Sequence, residues 1–261
     1  MVSSCMHIVI KSIVVAVFFN FSFLSTLSYG QGDENQYILN DITKMYMASM
    51  TFIFKSQPLI NQRGGDKAVL FGDDFINNIK VTYRAKYGEE FPELSHFLKK
   101  MLLQAMVEVM EDNRVLFNDD EIGFKGIIPA IFAAQLAAKL STKGVGLKIK
   151  FTRTKDDIRN VMNLPDEWEE MVMQKVINKP AVYFDNNGML DGNPAYRQFT
   201  PLPMAAYCLK CHGSMEHNPL NFGKDKSQWT NIDMTGFEME NWTISDFGGG
   251  VSLSIEKSVL E

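Results

Sequence analysis

The feature that most constrains this chain of 261 residues is a Cys-x-x-Cys-His motif at residues 208–212. This spacing is the attachment signature of a c-type haem. The two thiols add across the vinyl groups of the porphyrin while the adjacent imidazole ligates the iron, so the three side chains must share one short turn. The motif therefore predicts one covalent haem c, attached through Cys208 and Cys211, with His212 as the metal ligand.

Residues 1–30 have the composition of a secretory signal peptide. Lys11 is the only Lys or Arg in this segment, and an apolar run over residues 13–24 follows it. Small residues then predict cleavage near Gly30. Because c-type haem is attached outside the bacterial cytoplasm, the leader and the motif together predict a periplasmic protein. The alternative is an uncleaved membrane anchor, which the short apolar run, broken at Asn20, disfavours.

The small number of cysteines limits which sites the motif could form. The chain has three cysteines, and Cys5 lies in the predicted leader. If Cys208 and Cys211 both carry haem, the mature chain has no thiol left for a disulfide. A structural zinc site would need further ligands such as His212 and His217. A thioredoxin-like redox pair would give the histidine after the second cysteine no role.

Charge and length place the chain among ordinary globular proteins. It has 26 Lys and Arg against 31 Asp and Glu, and this acid excess gives no reason to expect nucleic acid or an anionic membrane surface as a partner. Removal of the leader leaves about 230 residues, enough for one domain or two closely packed ones, and we expect a single domain over residues 31–261. The mature chain contains no second long apolar run, so we expect no stable membrane span.

The first half of the mature chain has the periodicity of helices. Apolar residues repeat there at three- and four-residue steps, which is typical of helices with one buried face. The predicted helices are residues 33–56, 73–87, 92–112 and 129–141.

After Gly146 the period changes to the alternation that is typical of strands. The predicted strands are residues 147–151, 181–184, 195–199 and 251–255, with a further helix at 165–177, a turn at 185–188 and a flexible glycine triplet at 248–250. Helices followed by an antiparallel sheet predict an α+β fold.

The residues around the motif suggest how it is presented. Pro201 and Pro203 are expected to end a strand and aim a short helical turn that carries the motif. Gly213 is expected to let the backbone turn beside the macrocycle. Residues 214–242 are polar and aromatic with little periodicity. Such a long loop either wraps the haem edge or makes a surface excursion with its aromatic side chains, Trp229, Phe237 and Trp242, packed on the core.

Several ordered motifs accompany the haem signature. They are residues 57–61 (QPLIN), 123–130 (GFKGIIPA), 159–160 (RN), 163–166 (NLPD), 168–169 (WE), 201–202 (PL) and 248–253 (GGGVSL). With them the chain resembles, over residues 37–257, the single-haem periplasmic sensor domains with a PAS-like sheet. This former family of unknown function occurs alone or ahead of membrane histidine kinases and chemotaxis receptors.

The resemblance implies a haem domain that senses a ligand or redox state, with a PAS-like sheet and no enzymatic activity. Some relatives place a cysteine thiolate on the distal face of the iron. This chain has no cysteine to spare, so the distal ligand is a methionine, a histidine, water or nothing. The histidine candidates are His96 and His217, and the chain contains 16 methionines.

Other residues near the expected pocket have both a functional and a structural interpretation. Arg153 and Arg159 are candidate partners of the haem propionates, because guanidinium groups pair bidentately with carboxylates; the alternative is ordinary solvated charge. Asn160 and Asn163 are expected to make turn and cap contacts. Phe132 either lines the pocket or belongs to the core, and the apolar stretch 129–134 is expected to leave room over the iron.

Three functions are compatible with these features. The first is a sensor of redox state or of a diatomic gas; because the chain stops at Glu261 without a transmitter, it would need a redox partner or a membrane signalling protein. The second is a periplasmic electron-transfer cytochrome c. The third is a peroxidase-like haem enzyme, which would need a distal acid–base group that the sequence does not identify. A closed iron favours electron transfer, and an open one favours sensing or catalysis.

Overall fold

The computed structural model describes residues 31–260. The predicted signal peptide, residues 1–30, lies outside the described residues and stays a prediction. Among the helices of residues 31–260, none is both long and apolar enough to cross a membrane.

Six helices come first along the described chain. They are α1 (Gln31–Lys55), α2 (Gln57–Asn61), α3 (Gly72–Tyr87), α4 (Phe97–Asp112), α5 (Arg114–Asn118) and α6 (Pro129–Lys143). The four predicted helices correspond to α1, α3, α4 and α6. The start of α4 was predicted too early, because His96 rather than Pro92 caps it: the His96 Nδ1 accepts a hydrogen bond from the Leu98 N–H at 3.2 Å.

A four-stranded antiparallel sheet follows the helices. Its strands are β1 (Leu147–Thr152), β2 (Tyr183–Leu190), β3 (Asn193–Pro203) and β4 (Phe247–Glu256), in the order β1-β4-β3-β2. Helix α7 (Glu167–Val176) lies between β1 and β2 in sequence, and the short α8 (Leu209–His212) lies between β3 and β4. This order of elements confirms the predicted α+β class with a PAS-like antiparallel sheet.

The sheet is the middle layer of the fold. Successive side chains of a strand point to opposite faces. The apolar residues of β4, Val251, Leu253 and Ile255, are fully buried in a core that they share with α1, α3, α4 and α6. On the opposite face, Phe199 of β3 packs against Val172 of α7 and its apolar neighbours. Both faces are therefore covered, one by the helical core and the other by α7.

The turn predicted at residues 185–188 is wrong. The pairing of β2 with β3 has an irregularity between Asp185 and Gly188, and the chain reverses at Asp191 and Gly192 instead. These two residues have φ angles of 48° and 92°, and an Asp-Gly pair adopts such positive angles readily in a two-residue hairpin. Gly188 has another role, because a Cβ there would lie 2.8 Å from the Arg197 side chain that crosses it.

The glycine triplet at residues 248–250 is buried within β4 and does not form the predicted flexible segment. Close packing explains the glycines. Gly249 has a φ of 95°, and a Cβ there would overlap the Thr152 carbonyl oxygen. A Cβ on Gly250 would overlap the ring of Phe199. Neighbouring strands and side chains therefore approach this end of β4 more closely than any larger residue would permit.

Candidate haem-attachment site

The Cys-x-x-Cys-His motif lies just beyond the end of β3, where α8 forms a single helical turn. The Met204 N–H donates to the Asp246 carbonyl at 2.8 Å, and the Ser245 N–H donates to the Met204 carbonyl at 3.0 Å. These two bonds fasten the chain that leads into the motif to the chain that leads into β4. The motif is thus anchored at the end of the β3–β4 pair where β3 finishes and β4 begins.

Cys208 and Cys211 are both half-buried free thiols. Residues three apart in a helical turn lie on the same face. Burial raises the pKa of the Cys208 thiol, and burial together with the negative charge of Asp233 raises that of Cys211 to about 12. A redox-active thiol of the thioredoxin type needs a lowered pKa, so these surroundings do not favour that alternative.

His212 is held through its Nδ1 atom, which lies 2.9 Å from Oε2 of Glu240. A carboxylate can only accept, so the proton of this bond is on Nδ1. The lone pair of Nε2 is then free to ligate a metal. A metal-ligating histidine commonly donates its other ring N–H to a carboxylate in this way, which fixes its tautomer and its orientation. The side chain therefore fits the predicted role as an iron ligand.

Trp242 fixes the same histidine from another side. Its ring stacks on the His212 imidazole with centroids 5.0 Å apart and planes 12° apart. Its backbone N–H donates to the His212 carbonyl at 2.8 Å. The guanidinium carbon of Arg153 lies 3.5 Å from the centroid of the Trp242 ring. His212 is therefore restrained at its ring and at its backbone by one residue of the loop that precedes β4.

Arg159 connects the parts of the site. Its Nε donates to Glu240 Oε1 at 2.7 Å and its Nη2 to Glu240 Oε2 at 2.8 Å, which is a bidentate pair. Its Nη1 donates to Asp233 Oδ2 at 2.7 Å. Nη2 also donates to the carbonyls of Cys211, at 3.0 Å, and Glu238, at 2.8 Å. One guanidinium thus joins the motif to two carboxylates of the following loop.

The charges of this cluster stabilise one another. Burial alone would lower the pKa of Arg159, but its hydrogen bonds with Glu240 and Asp233 outweigh burial and raise it. Burial alone would raise the pKa of both carboxyls. Bonds from His212 and Arg159 hold the pKa of Glu240 below its usual range, and bonds from Thr235 and Arg159 do the same for Asp233. Both acids are therefore ionised near neutral pH.

The structure places Arg153 and Arg159 beside the motif, where both have protein partners. Arg153 donates from Nη1 to the Phe247 carbonyl and from Nε to Asp157 Oδ2, at 3.1 Å in the second case. Arg159 is bonded as described above. Their pairing with haem propionates stays a prediction. In the structure Arg153 lies against the ring of Trp242, and Arg159 bonds the carboxylate of Glu240. The two arginines therefore support the two residues that hold His212.

Buried amides order the loop between α8 and β4. The Asn218 Nδ2 donates to the carbonyls of Thr230, at 3.1 Å, and Ile232, at 2.8 Å. The Asn221 side chain donates to the Thr230 carbonyl and accepts from the Thr230 N–H, at 2.9 Å in both cases. Trp242 packs on His212 rather than on the apolar core, so the loop is not a simple surface excursion. Its predicted contact with the haem edge stays a prediction.

The two histidines considered as distal ligands occupy different places. His96 caps α4 and borders an open pocket with Glu34 and Lys99. Nδ1 of His217 lies 3.0 Å from Ser214 Oγ, in the turn that directly follows the motif. The four predicted alternatives for the distal ligand, a methionine, a histidine, water or nothing, therefore stay predictions.

Phe132 and Asn160 make structural contacts, whereas for Asn163 the structure shows burial alone. Phe132 is fully buried in the helical core, with its ring edge-on to Phe75 at 6.5 Å between centroids. The expectation that residues 129–134 line a cavity over the iron therefore gains no support from Phe132. The Asn160 side chain accepts from the Met162 N–H at 3.0 Å, which is a local turn contact, and Asn163 is buried.

Sequence reasoning missed Glu240 and Asp233 and gave Trp242 no contact with the histidine. All three lie in an aperiodic loop, and no motif spacing links them to His212. The zinc alternative gains no support either, because residues 31–260 contain no group of three or more His, Cys, Asp or Glu side chains arranged to hold a metal ion.

Comparison with known proteins identifies the family. The model of the Tll0287-like family matches residues 77–256, which include the motif, both arginines and Glu240. The solved structure titled "Crystal structure of the cyanobacterial heme-protein Tll0287" shares 14% identity, with 61% of this chain and 90% of that chain covered and a TM-score of 0.34. No curated protein matches. Because the family match spans more than half of the chain, this protein belongs to the Tll0287-like family.

Proposed function

We propose that the mature protein is a periplasmic haem protein with one haem c, attached through Cys208 and Cys211, whose iron is ligated by His212. The observation that carries this proposal is the bond between His212 Nδ1 and Glu240, next to two free thiols on the same helical turn. The family model that matches residues 77–256 is named after Tll0287, a protein whose solved structure is titled as that of a cyanobacterial haem protein, and membership of this family supports the same cofactor here.

The residues present fit the chemistry of attachment. Each thiol adds its S–H across one vinyl C=C bond, so that a sulfur–carbon bond forms and the hydrogen ends on the other vinyl carbon, and no oxidant is consumed. The bound haem would supply an iron that changes oxidation state by one electron and binds diatomic gases. His212 would hold the iron from one side through Nε2 while Glu240 and Trp242 hold the imidazole.

We further propose that the protein senses redox state or a diatomic gas and is not an enzyme. The way the motif is joined to the sheet supports sensing. The Cys211 carbonyl accepts from Arg159 in the segment that follows β1, and the chain entering the motif is bonded to the residues just before β4. A change at the iron would therefore reach the segments that flank two adjacent strands of the sheet, β1 and β4. A redox partner or a membrane signalling protein would receive the signal.

Visible absorption spectra with carbon monoxide test the sensing proposal against electron transfer. We expect the reduced, haem-loaded protein to bind carbon monoxide on mixing, with a shift of its Soret band. A Soret band that stays unchanged over hours would show an iron closed by a strong protein ligand. That outcome would overturn the gas-sensing proposal and favour an electron-transfer cytochrome.

A further inference from the structure

The carboxylate of Glu240 is shared between the candidate iron ligand, His212, and a half-buried cation, Arg159. Oε2 of Glu240 lies 2.9 Å from His212 Nδ1 and 2.8 Å from Arg159 Nη2, and its Oε1 lies 2.7 Å from Arg159 Nε. The Glu240 side chain is only 23% exposed. The two-point contact with Arg159 restrains the carboxylate, so that Oε2 is directed at the imidazole.

The backbone between Glu240 and Trp242 brings both of these side chains into contact with His212. Trp242 stacks on the His212 ring and bonds its carbonyl. The intervening residue, Asn241, has a φ of 61°, in the left-handed region that asparagine tolerates better than most residues. Non-glycine residues in this region are held there by their surroundings and cluster at functional sites.

The charge on Glu240 has an electronic consequence for a metal on Nε2. An imidazole whose N–H is bonded to a carboxylate is a more basic ligand. A more basic ligand favours the more highly charged ferric iron over ferrous iron, so the reduction potential falls. Hydrogen bonding around an axial ligand is one of the main controls that a protein has over haem potential.

We propose that Glu240 is a positioning residue that orients His212 and lowers the reduction potential of the haem, and that Arg159 acts through it by holding the carboxylate in place. This inference rests on the proposed attachment of haem c at residues 208–212. The loop before β4, which contains Glu240, would then set the reduction potential around which the haem changes oxidation state.

Potentiometric titration of three haem-loaded variants tests the proposal. Glu240→Gln keeps the size of the side chain and a carbonyl acceptor but removes the charge. We expect it to raise the potential enough to change the ratio of reduced to oxidised haem at least tenfold at a fixed potential, which is about 59 mV for one electron. Glu240→Asp restores the charge and should return the potential most of the way towards that of the unmodified protein.

Glu216→Gln is the matched control. Glu216 is an exposed carboxylate close to the motif in sequence, and loss of an exposed charge is screened by solvent and salt. The control should leave the potential unchanged. An unmoved potential in Glu240→Gln, or an equal shift in Glu216→Gln, would overturn the proposal.

Failure of this inference is distinguishable from failure of the proposed function. If the unmodified protein carries no covalent haem, the proposed function fails and the inference fails with it. If haem is attached and the potential does not respond to Glu240, only the inference fails. If Glu240→Gln does not fold, Arg159→Lys decides the matter. It keeps a positive charge but loses the two-point contact that holds the Glu240 carboxylate, so the potential should rise. A potential unchanged from that of the unmodified protein would overturn the proposal.

Discussion

Glu240 Oε2 lies 2.9 Å from His212 Nδ1, although 28 positions separate the two residues in sequence. Arg159, which lies 81 positions from Glu240, bonds both oxygens of that carboxylate. The site is therefore assembled from three separate stretches: the segment after β1, the motif itself and the loop before β4. Mutation of any one stretch should affect the other two.

The stack of Trp242 on His212 should contribute measurably to stability. Trp242→Ala removes an aromatic pair and a cation–π contact with Arg153, and we expect it to lower the free energy of unfolding by about 1–2 kcal/mol. Trp242→Phe keeps a ring in place and should lose less than half as much. Urea denaturation followed by circular dichroism measures the difference.

Trp229→Ala is the control for the tryptophan prediction. Trp229 lies in the same loop, with Lys226 over its ring and its Nε1 bonded to the Lys224 carbonyl. Its loss should lower stability less than the loss of Trp242. Equal losses for Trp229→Ala and Trp242→Ala would show that the contact with His212 has no special weight.

Asp166 joins α7 to the sheet through both of its oxygens. Oδ1 accepts from the Glu169 N–H at 2.8 Å and so caps α7, while Oδ2 accepts from Arg197 Nη2 at 2.6 Å. We expect Asp166→Ala to cost about 2–3 kcal/mol of stability, because it removes a cap and one partner of a buried arginine. Asp166→Asn keeps an acceptor and should cost roughly half. Equal effects in chemical denaturation would contradict the separate roles of the two oxygens.

The same carboxyl group gives a pH dependence with a defined sign. Burial alone would raise the pKa of Asp166, but its bond with Arg197 and the cap contact outweigh burial and lower it. The stabilisation is therefore fully present above the unfolded-state pKa of about 3.9 and is lost as pH falls through the lower folded-state value. The stability difference between the unmodified protein and Asp166→Asn should shrink below pH ~4. A difference that grows on acidification would contradict the assignment.

Gly213 should be irreplaceable for reasons of space. Its φ is −81°, which any residue can adopt, but a Cβ there would lie 2.7 Å from the Leu209 carbonyl oxygen and 2.9 Å from His217 Nδ1. We expect Gly213→Ala to destabilise the protein by about 1–3 kcal/mol and to lower the haem content per protein. Haem absorbance relative to protein mass and thermal melting measure the two effects.

Gly123→Ala is the control for Gly213. A Cβ at Gly123 would have no heavy atom within 4 Å, so this change should leave both haem content and melting temperature nearly unaltered. If Gly213→Ala behaves like Gly123→Ala, the backbone beside the motif has more room than the structure indicates.

The architecture was predictable where a repeating pattern determines it. Helices α1, α3 and α6 follow from apolar spacing, and β1 follows from the alternation of residues 147–151. The position of the turn between β2 and β3 could not be predicted from the sequence pattern alone. The Asn-Gly pair at 187–188 and the Asp-Gly pair at 191–192 carry the same turn signal. In the structure only the second pair forms the turn, while Gly188 lies within β2 against the Arg197 side chain.

Within the candidate site, sequence reasoning could nominate the residues that the covalent chemistry of haem would specify and two charged neighbours. Cys208, Cys211 and His212 are specified by spacing, and Arg153 and Arg159 could be nominated by charge alone. Glu240 could not be found, because its role depends on a hydrogen bond across an aperiodic loop that buried amides such as Asn218 fold. Long-range contacts of this kind leave no periodic signal in a single sequence.

The central claim is that haem is attached covalently at residues 208–212. The most direct measurement is the intact mass of the mature protein after denaturation and acid extraction of loosely bound cofactor. We predict the mass of the chain that begins at Gln31 plus one haem, and the mass of the chain alone when Cys208 and Cys211 are both replaced by serine. A mature protein with an intact motif that has the mass of the polypeptide alone, its cofactor extracted freely or never bound, would contradict the account.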